Sequence, residues 1–246
     1  MPRFVMTITL MLTATIAGTA DGGWFIDLEA GMAIPGYNDV QVPNDDSGTR
    51  FSLTDVLDVD PEFIYRLRAG LRTGKHSFSL FAAPLRLEGS GVLAQDVDFA
   101  GETFAQGQEV TGLYRFDSYR LTWRYLLVDR PSLTFSGGLT AKIRDAEIKL
   151  ESGSLSASTT NTGFVPLLSF DLRWKPCRRM GLLLSGDALV GPQGRAEDVF
   201  LGLFHNASDR VELRAGYRIV EGGADVETVY NFTLVNFITA GVNFSF

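Results

Sequence analysis

The segment 228–246 constrains the fold more than any other, because apolar and polar residues alternate along it almost without a break. Alternation with period two is typical of a β-strand that has one apolar and one polar face. The pattern outlasts an ordinary globular strand of about five or six residues. It suits a tilted strand that crosses a lipid bilayer and both of its interfaces. The apolar face carries Tyr230, Phe232, Leu234, Ile238, Ala240, Val242, Phe244 and Phe246.

The same alternation recurs along most of the chain and predicts about ten strands, with eight or twelve as alternatives. Within segment 76–89 the alternation is interrupted, and we expect a bulge or a rim position at Pro84, which cannot donate a ladder hydrogen bond. The predicted strands are residues 24–34, 62–73, 76–89, 114–128, 132–150, 164–174, 182–190, 199–204, 211–220 and 230–246. Short turns at 73–75, 129–131, 175–179 and 206–209 are predicted to alternate with longer loops at 35–60, 90–110, 151–162, 191–198 and 221–227.

Residues 1–20 are predicted to be a secretory signal peptide, which leaves residues 21–246 as one β-barrel domain. Arg3 supplies a positive start, an apolar run follows, and Gly18, Thr19 and Ala20 are small residues suited to cleavage. An N-terminal helix of the mature fold is the alternative interpretation. Beyond this segment, no apolar run is long enough for a transmembrane helix.

The C-terminal residues Gly241, Phe244 and Phe246 resemble the assembly signal of small bacterial outer-membrane β-barrel proteins. The resemblance implies a single antiparallel up-and-down barrel in the bacterial outer membrane. It also implies contact with outer-membrane lipid and lipopolysaccharide, and with the barrel assembly machinery during biogenesis. A soluble β-sandwich is the alternative fold, but it would not need a signal peptide, a terminal aromatic strand, or polar residues opposite so many large aromatics.

The predicted lumen is rich in charge. Its basic side chains are Arg66, Arg68, Arg72, Arg120, Arg124, Lys142, Arg144, Arg173, Arg214 and Arg218. Its acidic side chains are Asp27, Glu29, Asp171, Asp187 and Glu212. Charges in a narrow, partly dry interior must be paired, so the favoured interpretation is a lumen plugged by ion pairs. A narrow anion-favouring pore is the alternative. The predicted long loops carry acids: Asp39, Asp45, Asp46, Asp55, Asp58, Asp60, Asp96, Asp98, Glu102, Glu221, Asp225 and Glu227.

No catalytic residue, cofactor or metal ligand is assigned from the sequence. His76 and His205 both lie beside predicted short turns. Small barrel enzymes that act on lipid A or phospholipids resemble this chain in size or topology, but the resemblance implies a catalytic histidine at the opposite rim. The omptin-like proteases share a ten-stranded barrel, and their pattern requires an acidic pair and a histidine above the outer rim. Asp45 with Asp46, or Asp96 with Asp98, could imitate the acids, but no histidine is available there.

The predicted surface loops are expected to bind an unidentified partner or ligand. The region 90–119, with Phe99 and Phe104, is predicted to extend the sheet above the membrane and to offer a binding surface. Asp55, Asp58 and Asp60 could hold Ca²⁺ only weakly, because they lack the glycine and terminal glutamate of an EF-hand loop. The net charge of −7 makes nucleic acid an unsuitable partner. A structural or binding role is therefore favoured over a pore or a lipid or protein hydrolase.

Overall fold

The structure, a computed structural model, describes residues 22–192 and 194–246, so the predicted signal peptide 1–20 lies outside the described residues. It is almost entirely β-structure. The strands are β1 (Gly22–Gln41), β2 (Phe51–Ser52), β3 (Glu62–Thr73), β4 (His76–Ala83), β5 (Arg86–Val92), β6 (Val97–Phe99), β7 (Glu102–Phe104), β8 (Glu109–Arg130), β9 (Leu133–Ser152), β10 (Leu155–Trp174), β11 (Met180–Gly191), β12 (Gly194–Asn206), β13 (Val211–Val226) and β14 (Val229–Ser245). One short helix, α1 (Leu53–Val56), follows β2, and among the described residues no helix is long and apolar enough to cross a membrane.

The main sheet closes into an antiparallel ring of ten strand positions, because β14 pairs with β1. Strands β4 and β5 share one position, since both pair with β8 and the break between them falls at Pro84, where the sequence predicts an interruption. Starting at Trp24, one circuit of paired residues passes through Leu71, Phe78, Trp123, Leu139, Leu168, Ala188, Glu197, Glu221, Leu234 and Tyr37.

This circuit returns to β1 at Tyr37, 13 residues after Trp24, and one of those residues is the bulge at Gly36. The shear of the barrel is therefore 12. With a rise of about 3.3 Å per residue and about 4.8 Å between strands, ten strands of this shear tilt by about 40° from the barrel axis. That tilt is typical of transmembrane barrels. The predicted fold class, an antiparallel barrel of about ten strands, is confirmed.

The two ends of the barrel differ. The terminal end carries Gly22 and Phe246 and has short connections, as predicted. The distal end was predicted to carry five long loops, and for three of them the prediction is wrong. Residues 151–162, 191–198 and 221–227 lie mostly within strands that meet in tight turns. At one of these turns Gly153 has a φ of 58°, a conformation that glycine adopts without steric cost.

Outward side chains form an apolar band around the barrel. On β8 the band runs from Leu127 at the terminal end to Tyr119, and the first outward charge beyond it is Asp117, which contacts Arg115. The exposed outward residues include Trp24, Phe63, Tyr65, Phe164, Trp174 and Tyr217. Nine residues of strand tilted by about 40° cover about 20–25 Å along the axis, close to the height of the apolar band of known membrane barrels.

The distal end is filled by an apolar cluster, here called the distal cap. Segments 42–57 and 93–104 fold inward, and their buried side chains pack on inward residues of the barrel wall. Ala100 N–H donates to the Val42 carbonyl and Thr49 N–H donates to the Asp98 carbonyl, each over 2.9 Å, so the two segments are also joined by backbone hydrogen bonds. The cap contains Val42, Phe51, Leu53, Leu57, Leu93, Val97, Phe99 and Phe104. The acid-bearing segments predicted as loops at 35–60 and 90–110 therefore also bury apolar side chains.

Candidate functional site

Six buried charged side chains meet across the middle of the lumen, and we call them the ionic layer: Glu29, Arg66, Arg120, Asp187, Asp198 and Arg218. Each is at most 8 % exposed. They project from β1, β3, β8, β11, β12 and β13, so their contacts join opposite walls of the barrel. Alternate side chains of a barrel strand point into the lumen, and each of the six occupies such an inward position.

Asp198 is the centre of this layer. Its carboxylate accepts hydrogen bonds from Arg66 Nη2 over 3.0 Å, from Arg120 Nη2 over 2.6 Å and from Arg218 Nη1 over 2.5 Å. Glu29 accepts from Arg218 Nε and Nη2, each over 2.9 Å. Charge-assisted bonds of this kind satisfy buried guanidinium groups that would otherwise be costly.

A polar shell surrounds the remaining acid of the layer, Asp187. Arg120 Nη1 donates to Asp187 over 2.7 Å, Thr140 donates over 2.9 Å and Ser169 donates over 2.6 Å. Arg120 Nε in turn donates to Ser118 Oγ over 2.9 Å. Buried polar groups are stabilised when each has a partner, so this part of the lumen is a connected network rather than a set of isolated pairs.

A second tier of ion pairs lies toward the terminal end. Arg214 contacts both Asp27 and Glu29, the latter over 3.1 Å. Arg173 donates to Asp171 over 2.9 Å and to Glu212 over 2.5 Å. Arg124 lies 3.6 Å from Asp171. Below this tier, a cavity of about 430 Å³ opens at the terminal end. The structure thus brings together the predicted acids and six of the ten predicted cations.

Four of the predicted cations, among the residues the structure describes, form no ion pair: Arg68, Arg72, Lys142 and Arg144. Arg68 and Arg72 line the terminal cavity, where their guanidinium groups lie 4.8 Å from the Phe81 ring and 4.2 Å from the Phe25 ring. Lys142 and Arg144 line a different cavity, of about 540 Å³, on the distal side of the ionic layer. The unpaired cations therefore fall into two pairs, one on each side of the layer.

Sequence reasoning missed Asp198, the acid that accepts hydrogen bonds from three arginines. It was placed at the end of a predicted loop, residues 191–198, whereas it lies inside β12. The segment between Gly191 and Asp198 contains glycine, proline and charged residues, which are typical of a loop. Asp198 lies two residues before Phe200, on the same inward face as Phe200, Gly202 and Phe204. This spacing of two residues was the signal that could have identified Asp198 as an inward residue.

Inward aromatic residues were also missed, because inward positions were expected to be polar. Phe81, Phe200, Phe204 and Phe237 are all at most 8 % exposed. The guanidinium carbons of Arg66 and Arg120 lie 5.5 Å and 5.0 Å from the centre of the Phe81 ring. Cation–π contacts of this length are attractive, so the aromatic rings help to hold the arginines in place.

Neither histidine is part of the lumen network. His76 stacks among outward aromatic residues and accepts a hydrogen bond from Trp123 Nε1 over 3.1 Å. His205 lies on β12, opposite Met180. Within the described residues, no hydrogen bond joins either histidine to a serine or a carboxylate, and no group of three or more His, Cys, Asp or Glu side chains is arranged to hold a metal ion.

The residues that resemble an assembly signal lie on the last strand at the terminal end. Phe244 is 36 % exposed and Phe246 is 61 % exposed, both on the outward face. Gly241 faces inward, and a Cβ there would lie 2.9 Å from the Arg214 guanidinium. Glycine at this position therefore leaves room for the Arg214–Asp27 pair.

Comparison with known proteins supports the fold. No protein-family model matches the sequence, and no curated protein matches it. Among solved structures, the outer-membrane protease OmpT from Escherichia coli is 10 % identical over 91 % of this chain and 97 % of its own, with a TM-score of 0.52. Neisserial surface protein A is 14 % identical over 91 % of this chain and 97 % of its own, with a TM-score of 0.36. The attachment invasion locus protein Ail of Yersinia pestis is 10 % identical over 92 % and 99 %, with a TM-score of 0.38. At these identities the likeness shows the fold alone, an outer-membrane type of β-barrel.

Proposed function

We propose that this chain is an integral outer-membrane β-barrel protein whose lumen is closed by ion pairs and whose function is to bind a ligand or partner at its distal side. The observation that carries the proposal is the ionic layer. Its six side chains are nearly excluded from solvent and their hydrogen bonds connect opposite walls. Water and ions would have to separate buried charge pairs to pass, which costs several kcal/mol per ion by general estimates.

The distal cap supports the same proposal. Above the ionic layer, Phe99 and Phe104 have no exposed surface, and the Phe51 ring packs edge to face on Phe99 with 6.1 Å between ring centres. Because these aromatics are buried, they do not offer the binding surface that the sequence predicts for them. Binding is therefore assigned to the exposed outer surface of the cap and to the open cavity beside it.

A narrow anion-favouring pore is the second candidate. The observation in its favour is that inward cations exceed inward acids, with Arg68, Arg72, Lys142 and Arg144 left without an acidic partner among the described residues. An excess of positive charge on both sides of the ionic layer would favour anions if the layer opened. The ionic layer itself argues against this candidate.

A lipid or protein hydrolase is the third candidate. OmpT, whose fold this chain resembles, is an outer-membrane protease. The fold does not carry the activity with it, since unrelated functions are built on one fold. In this chain both histidines lie near the terminal end, and in the described hydrogen bonds neither contacts a nucleophile or an acid. A non-enzymatic role is therefore preferred, and unchanged lipid A and phospholipid profiles after overexpression are expected.

The same proposal assigns partners. Outward aromatic and aliphatic side chains would contact outer-membrane lipid, the distal strand ends would contact lipopolysaccharide, and the residues Gly241, Phe244 and Phe246 would contact the assembly machinery. Replacing Phe246 with Ala should lower the fraction of heat-modifiable barrel in the outer-membrane fraction. An unchanged fraction would argue against the assembly role of this residue.

Chloride efflux from lipid vesicles tests the closed lumen. Refolded protein, shown to be folded by its heat-modifiable gel shift, is reconstituted into chloride-loaded vesicles. We expect efflux no faster than from vesicles without protein. A variant that removes one cation and one anion of the layer, Arg120→Ala with Asp198→Ala, should raise the efflux. Rapid efflux through the unaltered protein would favour the pore instead.

A further inference from the structure

The seam between β10 and β11 is only partly closed. Seven residue pairs join these strands, from Leu168 with Ala188 to Trp174 with Leu182. On its other edge, β10 is paired with β9 along its whole length, from Leu155 to Trp174. The distal part of β10, residues 155–167, therefore has no partner on the β11 side. Pro166, just beyond the last pair, lacks an N–H to donate and suits an edge position.

The open part of the seam lies in the distal half of the apolar band. Along the circuit of paired residues, each step to the next strand rises by about 3 Å, given a strand spacing of about 4.8 Å and a tilt of about 40°. Leu168 is five steps from Trp24, so it lies about 15 Å above that residue. The apolar band of membrane barrels is about 25 Å tall. In the proposed orientation, the seam therefore opens at the level of the outer leaflet.

A cavity of about 540 Å³ connects this seam with the lumen. Its lining includes Val165 and Pro166 from β10 and Leu189 from β11, and it reaches inward to Phe116, Lys142 and Arg144. Leu189 is 37 % exposed although it faces inward, whereas Leu183, inward on the paired part of the same strand, is 3 % exposed. The volume is within the range of sites that hold small molecules, about 300–1,000 Å³.

The inner end of the cavity has buried positive charge without an acid to neutralise it. Lys142 is 4 % exposed and, among the described residues, forms neither an ion pair nor a hydrogen bond; its Nζ lies 4.7 Å from the Phe116 ring centre. Arg144 contacts Asn161, and its Nε is buried without a hydrogen-bond partner. A third cation, Arg195, is already paired with Glu221. A buried cation is costly unless it is paired, so the site is suited to an anion supplied from outside.

We propose that this cavity binds an anionic amphiphile, an alkyl or acyl chain ending in a phosphate or carboxylate, which enters sideways from the membrane through the seam between β10 and β11. The chain would lie against Val165, Leu189 and the neighbouring apolar wall, and the anionic head would pair with Lys142 and Arg144. This inference rests on the proposed function, because it names the class of ligand that the distal side binds. The ionic layer, which lies on the terminal side of the site, would keep the ligand from passing to the terminal end.

Dodecyl phosphate is the probe for the site. It is titrated by calorimetry into folded protein in dodecyl maltoside micelles, with empty micelles as the blank. We expect saturable binding, and we expect Lys142→Gln with Arg144→Gln to weaken it about tenfold or more, as expected for loss of a charge-assisted contact. The matched control is Arg68→Gln with Arg72→Gln, which removes the other two unpaired cations and should change the affinity less than about twofold.

Two further titrations separate the possible sources of binding. Inorganic phosphate that bound as tightly as dodecyl phosphate would overturn the proposal in favour of a free-anion site. Dodecanol that bound as tightly would overturn the role of the two cations. Absence of saturable binding by folded, non-conducting protein would overturn this inference and leave the closed barrel intact, whereas conductance would instead contradict the proposed function.

Photo-crosslinking tests the sideways route. A benzophenone side chain is placed at Leu189, or at Leu183 as the control on the same face of β11, and the protein is reconstituted into phosphatidylglycerol vesicles with labelled acyl chains. Cross-links to lipid are expected at Leu189 and not at Leu183. If Leu189 gives no cross-link while the outward Leu182 does, lipid does not reach the seam and the route is wrong.

Discussion

The ionic layer and the distal cap close the same barrel by opposite means. In the layer, Asp198 and Glu29 neutralise arginines through directed hydrogen bonds. In the cap, Phe99 and Phe104 exclude water by the packing of apolar side chains. The layer is built from side chains of the barrel strands, so it depends on strand phase and register. The cap is built from connecting segments, so it depends on how those segments fold back.

This difference predicts which regions of the barrel lose stability together when a residue of the layer or of the cap is replaced. Loss of a charge in the layer leaves other buried charges unpaired, and these belong to strands all around the barrel. Loss of a ring in the cap leaves a cavity under two surface segments. We therefore expect damage to the layer to weaken the whole barrel, and damage to the cap to remain local.

The largest effect is expected from Asp198→Ala. The substitution removes the acid that Arg66, Arg120 and Arg218 share, and breaking a buried ionic network by removing one partner costs about 3–5 kcal/mol. The measurement is the urea midpoint of unfolding, followed by tryptophan fluorescence and by the heat-modifiable gel shift. Asp209→Ala, in an exposed turn at the terminal end, is the control and should leave the midpoint unchanged. Equal midpoints for the two variants would mean that the layer does not stabilise the barrel.

Phe99→Ala should destabilise the cap by about 3 kcal/mol, because it deletes a fully buried ring that packs on Phe51. Hydrogen exchange should increase in segments 42–57 and 93–104 and remain unchanged in β9 and β13. The gel shift should also stay as in the unaltered protein. Loss of exchange protection throughout the barrel would show that the cap and the layer are one cooperative unit.

Gly153→Ala should cost about 1–2 kcal/mol, because Gly153 has a φ of 58° and a side chain is strained in that conformation. The cost should appear as faster exchange at the distal end of the β9–β10 hairpin. Ser154→Ala at the neighbouring exposed turn position is the control. If the two variants behave alike, residues 151–162 do not form a tight turn and strand, and the result would favour the loop that the sequence predicts.

The smallest effect concerns Asp145, which lies outside the apolar band. Arg115 donates to Asp145 over 2.7 Å, and this hydrogen bond lowers the pKa of the Asp145 carboxyl below its usual range. A carboxyl whose pKa is lowered by folding contributes stability above its unfolded pKa, and that contribution is lost as the pH falls through the folded pKa. Carboxyl NMR should show the low pKa, and Arg115→Gln should return it toward its ordinary value. An unchanged pKa in that variant would show that Arg115 does not lower the pKa of Asp145.

The sequence predicts strand phase well, that is, which side chains of a strand face outward and which face the lumen. Tyr119, Leu121 and Trp123 alternate with Arg120 and Thr122 because one face of a barrel strand meets lipid and the other meets the lumen. The range Glu62–Thr73 agrees with the prediction at both ends for the same reason. Where one side must be apolar, register and phase leave a clear pattern.

That pattern fails beyond the apolar band. Residues 156–162 are small and, apart from Ala157, polar, so no alternation of apolar and polar residues marks them as a strand, and they were predicted as a loop. The cap was missed for a different reason. Phe99 and Phe104 lie in segments without a regular period, and only the tertiary fold brings them onto Val42 and Leu57. The open seam could not be predicted either, because the alternation of residues does not show where two neighbouring strands stop pairing.

Single-channel conductance of the refolded protein in a planar bilayer measures directly whether the ionic layer closes the lumen. Protein shown to be folded by its gel shift should give no discrete openings, because the ionic layer closes the lumen. Discrete openings of the unaltered protein, with a preference for anions, would contradict that claim and would show that the unpaired cations line an open path.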